Sequence, residues 1–313
     1  MRRAFVFPGQ GSQAVGMGRE LAAAFPTARE VFQEVDEALK QSLFRLMQEG
    51  PEDELTLTEN AQPALMAVSL ATVRVIEREG GKALPQVCSY VAGHSLGEYS
   101  ALAAGGALAL ADAARLLKLR GQAMQKAVPV GSGAMAALLG ADVEQAVAVC
   151  AEAAQGEVVE VANDNGGGQV VVSGHKDAVT RAVEMARSKG VRRAMMLSVS
   201  APFHCALMRP AADAMEEALD RVALAPPRVP VIANVTADET GDPAEIRRLL
   251  VQQVTGRVRW RECVLAMKVK GVDTVVEVGA GKVLTGMLKR IDKDIAGMAV
   301  GTPADIEAFL KTV

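Results

Sequence analysis

The sequence predicts an α/β fold with a mainly parallel sheet and a smaller unit inserted near its middle. Three observations predict it. Short apolar strands alternate with helical stretches through both ends of the 313-residue chain, a pattern that buries a parallel sheet between helices. Residues 133–199 change rhythm and read β-α-β-β-α-β, the order of the split βαβ, or ferredoxin-like, unit. Half the residues are apolar but only 3% aromatic, so a sizeable core must be built from Ala, Val, Leu and Met.

Residues 4–7 form a short buried strand ended by Pro8, and a glycine-rich turn follows. Helical spacing then predicts helices over 15–24, 26–46 and 62–78. A strand over 86–92 leads into a helix over 97–104, and a further helix covers 112–127. In the central unit, strands are expected at 133–139, 158–162, 169–173 and 192–199, with helices at 143–154 and 176–189. We set the insert at 130–197 and the catalytic core at 1–129 and 198–313. Beyond the insert come a helix (206–222), a strand (229–234), helices at 244–253 and 260–270, a strand (274–278) and a final basic helix. No repeat or low-complexity linker interrupts the pattern.

The formal charge of −3 argues against a nucleic-acid partner, because binding a phosphate backbone needs concentrated positive charge. No apolar run reaches bilayer-spanning length, and Met1-Arg2-Arg3 runs directly into a strand without a leader-like apolar region. Neither membrane association nor secretion is expected. Cys88, Cys150, Cys205 and Cys263 show no C-x-x-C pairing and sit in or beside apolar segments. They read as buried thiols of a cytoplasmic protein.

Gly93-His94-Ser95-Leu96-Gly97 fits G-x-S-x-G, in which a sharp strand-to-helix turn exposes a nucleophilic serine. An apolar strand before it and a helix-forming stretch after it strengthen the match; a tight packing turn is the plainer alternative. In that geometry the Leu96 N–H, at a helix N-terminus, can stabilise an oxyanion. A serine nucleophile needs a base, and the chain has three histidines. His94 adjoins Ser95 at a turn where neighbouring side chains diverge, which suits a supporting role. His175 opens a solvated helix of the insert. His204, in Ser200-Ala-Pro-Phe-His-Cys205, lies where the insert returns to the core, a common place for catalytic groups. His204 is therefore the candidate base. No Asp or Glu stands out to orient it, and a main-chain carbonyl could hold its Nδ1–H.

Gly9-x-Gly11-x-x-Ala14 matches the loose dinucleotide fingerprint. That fingerprint also requires a second strand ending in an acidic residue about twenty positions on, and residues 26–34 are helical in pattern instead. The turn could supply a second oxyanion N–H, with Gln10 the candidate. Arg120 follows Leu116, Leu117 and Leu119 on a packing helix. It is either a solvated arginine or, if it points inward, a bidentate partner for a substrate carboxylate.

Eight blocks in order resemble the malonyl-CoA:acyl carrier protein transacylase family. They are FVFPGQGSQ (5–13), NAQPAL (60–65), GHSLGEYSAL (93–102), LLKLRGQAMQ (116–125), GAMAALLG (133–140), SAPFHCALM (200–208), PVIANVTA (230–237) and VEVGAGKVLTGM (276–287). The resemblance implies a hydrolase-like α/β core with an inserted ferredoxin-like subdomain. It implies transfer of malonyl from malonyl-CoA to the phosphopantetheine thiol of acyl carrier protein, for fatty-acid synthesis, through a malonyl-serine. Ser95 would be acylated and His204 would be the base. Gln10 and Leu96 would donate to the oxyanion, Arg120 would grip the malonyl carboxylate, Gln62 would help order the site, and the main-chain carbonyl of Gln253 would orient His204. No cofactor or metal is implied, and a monomer is expected.

Carrier proteins are acidic, so Lys282, Lys289, Arg290, Lys118 and Arg193 are candidate docking residues; each alone could equally be a solvated helix charge. Three stretches depart from the family pattern: ANDNGGGQ after Val161, Ala280 where proline is usual, and Gly256-Arg257 where Asn-Pro is common. Three other readings stay open. They are an acyltransferase serving a polyketide pathway, a serine hydrolase using water as acceptor, and a non-catalytic scaffold.

Overall fold

The computed structural model describes residues 2–313. Its strands are β1 (Arg3–Phe7), β2 (Tyr90–Gly93), β3 (Gly133–Leu139), β4 (Val159–Asp164), β5 (Gln169–His175), β6 (Arg193–Met196), β7 (Val231–Ile232), β8 (Glu239–Thr240), β9 (Thr274–Val278) and β10 (Ala296–Val300). The larger sheet runs β10-β9-β1-β2-β7-β8. All its pairings are parallel except β7–β8. The central strand β1 is buried on both faces, which is why it reads as a continuous apolar run instead of an alternating one.

Helices Pro26–Leu39, Thr58–Arg78, Gly97–Ala104 and Leu110–Lys126 cover one face of this sheet, sharing a core with Phe5, Phe7 and Val91. Helices Trp260–Val269 and Val283–Ile291 cover the other, against Ala4, Val6 and Ala92. Thr58–Arg78 is buried almost all round through Ile76, as befits a helix passing through the interior. None of the described helices is long and apolar enough to cross a membrane.

The smaller sheet has the order β4-β5-β3-β6 and is antiparallel throughout. Its crossover helices Val143–Ala154 and Lys176–Ser188 share a separate apolar core with it. Asp142 caps the first of them, accepting from the Gln145 N–H at 2.7 Å. The expected β-α-β-β-α-β unit is therefore present, folded around its own core.

Several boundaries differ from the sequence reading. The first helix starts at Arg19, not residue 15, because Gly16 and Gly18 take φ of 98° and 80°. The helix expected over 26–46 stops at Leu39, where Lys40 turns left-handed (φ 51°), and a new helix runs Leu43–Glu49. Residues 84–87 form a short helix, so the strand before the elbow is only Tyr90–Gly93. The ladder expected over 229–234 reduces to Val231–Ile232. β10 and the helix Pro303–Leu310 extend the fold beyond the last expected helix.

Candidate active site

The C-terminal ends of β1 and β2 bring the glycine-rich turn and the G-x-S-x-G turn side by side. Ser95 holds φ of 54° between β2 and the helix Gly97–Ala104. Its neighbouring glycines are sterically required. A Cβ on Gly93 would stand 1.9 Å from the Gly97 carbonyl, and one on Gly97 would stand 2.2 Å from the Phe7 oxygen. Asn234, just past β7, braces the turn: its Oδ1 accepts from the Ser95 N–H at 2.8 Å, and its Nδ2 donates to the Gly93 oxygen at 2.7 Å.

His204 reaches Ser95 across the fold. Its Nε2 lies 2.8 Å from Ser95 Oγ, and its Nδ1 lies 2.9 Å from the main-chain oxygen of Gln253. A carbonyl can only accept, so Nδ1 carries the proton and Nε2 is left free to accept from the serine. Burial and the nearby Arg120 charge lower the His204 pKa to about 3. The ring is therefore neutral over the ordinary pH range.

Arg120 points inward from Leu110–Lys126 and is 1% exposed. One Nη donates to Gln62 Oε1 at 2.8 Å; the other donates to Gln253 Oε1 at 2.9 Å and to Ser95 Oγ at 3.1 Å. Its guanidinium carbon lies 5.7 Å from the centre of the Tyr99 ring. The groups its fork donates to, Gln62, Gln253 and Ser95, are all neutral. Ser95 Oγ thus accepts from a cation while its own hydrogen faces a base.

Leu96 is buried at the start of its helix, and Gln10 sits in the turn after β1, its Nε2 donating to Thr58 Oγ1 at 3.3 Å. Both border the cleft of about 350 Å³ into which Ser95, Arg120 and His204 open. Met135, Val171 and Leu197 close it from the inserted sheet, and Phe203 adds an aromatic wall.

His94 does not contact the serine hydroxyl. Its Nε2 pairs with Asn165 Oδ1 at 2.9 Å, and its ring leans on Trp260 at 5.7 Å. Burial lowers its pKa. His175 Nδ1 accepts from the Val158 N–H at 2.9 Å within the insert, remote from the cleft.

The NDNGGG stretch is the insert's seat on the core. Besides the Asn165–His94 bond, Asp164 pairs with Arg261 at 2.8 Å, and Gly166 and Gly167 lie against Ile291 and Arg290.

The structure adds residues that sequence reasoning passed over. Gln253 contributes its side chain as well as its carbonyl: Nε2 donates to Ser95 O at 2.9 Å and to Glu98 Oε2 at 2.8 Å. Glu98 is fully buried, also accepts from the Asn234 N–H at 3.1 Å, and has its pKa raised to about 7 by burial. Glu98 and Asn234 both lie inside quoted blocks, GHSLGEYSAL and PVIANVTA. An acidic residue one position past the elbow, where a helix core packs, was the available signal.

Of the candidate docking residues, Lys118 is tied to Glu59 at 2.9 Å and to Asn60. Lys282, Lys289, Arg290 and Arg193 are exposed, the first three at or on the helix Val283–Ile291 that borders the cleft.

An elbow serine and a distant histidine meeting in a parallel α/β core, under an inserted split βαβ sheet, define an acyltransferase. The acyl transferase domain family matches residues 4–304. The malonyl CoA-acyl carrier protein transacylase of Salmonella typhimurium is 47% identical over 307 residues, covering 98% of each chain. The crystal structure of acyl-carrier-protein-S-malonyltransferase from Bartonella henselae superposes with a TM-score of 0.97 at 55% identity, covering 100% of this chain and 99% of that one. A type II polyketide acyl-carrier protein in complex with its malonyl-transacylase matches at TM-score 0.96 and 44% identity, covering all of both chains. The chain belongs to the malonyl-CoA:acyl carrier protein transacylase family.

Proposed function

We propose that the chain moves malonyl from malonyl-CoA to the phosphopantetheine thiol of an acyl carrier protein through a malonyl-Ser95 intermediate. The observation that carries this reading is the shared oxygen, Ser95 Oγ, which lies 2.8 Å from His204 Nε2 and 3.1 Å from an Arg120 nitrogen. A carboxylate one methylene from a carbonyl captured by Oγ falls within reach of that guanidinium. Monocarboxylic acyl groups have nothing to offer it.

His204 Nε2 takes the Ser95 proton as Oγ attacks the thioester carbonyl. The main-chain N–H groups of Gln10 and Leu96 donate to the tetrahedral oxyanion. Collapse breaks the C–S bond, and the departing CoA sulfur takes the proton from His204. The carrier thiol then enters, gives its proton to His204 and attacks the ester. Its collapse returns the proton to Ser95 Oγ. Gln62 holds one arm of Arg120, and the Gln253 oxygen keeps His204 in the tautomer both half-reactions need.

The insert is delimited as 130–197, since its strands open at Gly133 and close at Met196. Four buried, unpaired cysteines fit a cytoplasmic enzyme, here working as a monomer. Exposed Lys282, Lys289, Arg290 and Arg193 form the docking face for the acidic carrier. Loading of the carrier should slow as ionic strength rises, whereas self-acylation by malonyl-CoA should respond less; equal salt responses would remove the docking face.

Mass spectrometry after brief exposure to mixed acyl-CoAs tests the central reading. A malonyl adduct on Ser95 that carrier protein discharges is the expected result. Rapid release of free malonate without carrier would instead make the protein a hydrolase.

A further inference from the structure

We propose that Glu98 is a positioning residue for acyl-group selection: by accepting from Gln253 Nε2 it fixes the Gln253 amide, whose Oε1 then aims the Arg120 guanidinium into the acyl cleft. This rests on Arg120 being the partner of the malonyl carboxylate.

The Gln253 amide lies between the Glu98 carboxyl group and the Arg120 guanidinium. On its Nε2 side stand Glu98 Oε2 at 2.8 Å, Ser95 O at 2.9 Å and Asn234 Oδ1 at 3.3 Å. On its Oε1 side stands an Arg120 nitrogen at 2.9 Å. Rotating the amide by half a turn would set Oε1 against three oxygens and the NH₂ against a guanidinium. Of the three oxygens Glu98 Oε2 makes the shortest contact, and it can accept from Gln253 Nε2 whether or not the carboxyl group is ionised. Glu98 therefore dominates the choice of orientation.

A carboxylate bound directly to the Arg120 fork would fill the place meant for substrate. Glu98 stands one amide away instead, so the direct partners of the guanidinium remain Gln62, Gln253 and Ser95. Acceptance by Glu98 polarises the amide so that Oε1 becomes a better acceptor for Arg120.

The test compares malonyl and acetyl loading, since acetyl lacks the carboxylate that Arg120 would hold. Glu98→Met removes the acceptor with little change in volume, whereas Glu98→Gln keeps an acceptor oxygen for Gln253 Nε2 and Asn234 N–H. Folding is checked by circular dichroism and thermal melting. Glu98→Met should lower the malonyl-to-acetyl ratio of kcat/KM by about tenfold or more, the scale of one lost hydrogen bond to a charged group. Glu98→Gln should restore the ratio to within about threefold of the parent.

Gln253→Met keeps the main-chain carbonyl that holds His204 and should reproduce the ratio change, and the double variant should add little to either single one. If Glu98→Met does not fold, Gln253→Met against the parent carries the test. An unchanged ratio in folded Glu98→Met or Gln253→Met overturns the proposal, as does an equal loss in Glu98→Gln. Arg120→Ala separates the two readings. A ratio unchanged in Arg120→Ala removes Arg120 from acyl selection, while a ratio that moves there but not in Glu98→Met removes Glu98 alone.

Discussion

Ser95 and His204 stand 109 residues apart in the chain, yet Oγ and Nε2 meet at 2.8 Å, and both residues hold left-handed backbone angles, φ 54° and 57°. Each such angle costs about 1–2 kcal/mol for a residue with a side chain, so the surrounding structure must hold both. Ser95→Ala should leave no acyl adduct after exposure to malonyl-CoA. His204→Ala should slow acylation by about a hundredfold or more, the usual scale of a lost general base. A malonyl adduct at full rate on either variant, seen by quenched-flow mass spectrometry, would refute these roles.

The elbow should be intolerant of the smallest added side chain. Gly93→Ala places a methyl group 1.9 Å from the Gly97 backbone, which only a displaced helix could relieve. Overpacking of this kind costs about 1–3 kcal/mol or more. Urea denaturation should show at least that loss, and acylation should fall further than stability because Ser95 moves with the helix. Parent-like stability and rate together would contradict the crowding.

Acylation should not follow an ordinary histidine titration. His204 must be neutral to accept the serine proton, and burial together with Arg120 lowers its pKa to about 3. The active form therefore persists well below pH 6.5. Pre-steady-state acylation should stay nearly level from about pH 8 down to about pH 5; an inflection near 6.5 would mean that the ring is solvated in the working enzyme.

Glu98 should leave a signature in stability of the opposite sign. Its folded pKa stands at about 7, raised by burial from an ordinary 4.5, so the native state binds the proton more tightly than the unfolded chain. The associated stability is complete below pH 4.5 and is lost as pH rises through 7, by up to about 3 kcal/mol. Relative to the parent, Glu98→Gln should gain stability between pH 4 and pH 8 by an amount of that order. Urea titrations at the two pH values check it, and a pH-independent difference would place the Glu98 pKa near its ordinary value.

Much of the fold was legible because local patterns and tertiary structure agree. β1 is apolar on both faces and proves central, and the β-α-β-β-α-β rhythm yields a separate sheet with its own core. The failures have physical causes. Periodicity around residues 15–46 does not register the left-handed turns at Gly16, Gly18 and Lys40. β10 escaped because it is an edge strand in which only Val300 is buried and no other residue is β-branched. At the site, motifs and position pointed to Ser95 and His204, and the structure brings them together. Glu98 offered only its acidic type on a packing helix and Asn234 offered nothing, because their importance lies in hydrogen bonds to residues over 130 positions away, which no local spacing encodes.

Phe7 and Gly93 face each other in the β1–β2 ladder. Gln10 and Leu96, the proposed oxyanion donors, lie three residues beyond each. Their separation is therefore governed by how two neighbouring strands are aligned, before any side chain is considered. A slip of one residue would carry one donor past the other by about 3.3 Å, more than the length of the hydrogen bond it has to make. The chemistry depends on a backbone alignment that apolar side chains on both faces of β1 enforce, far from anything a substrate touches.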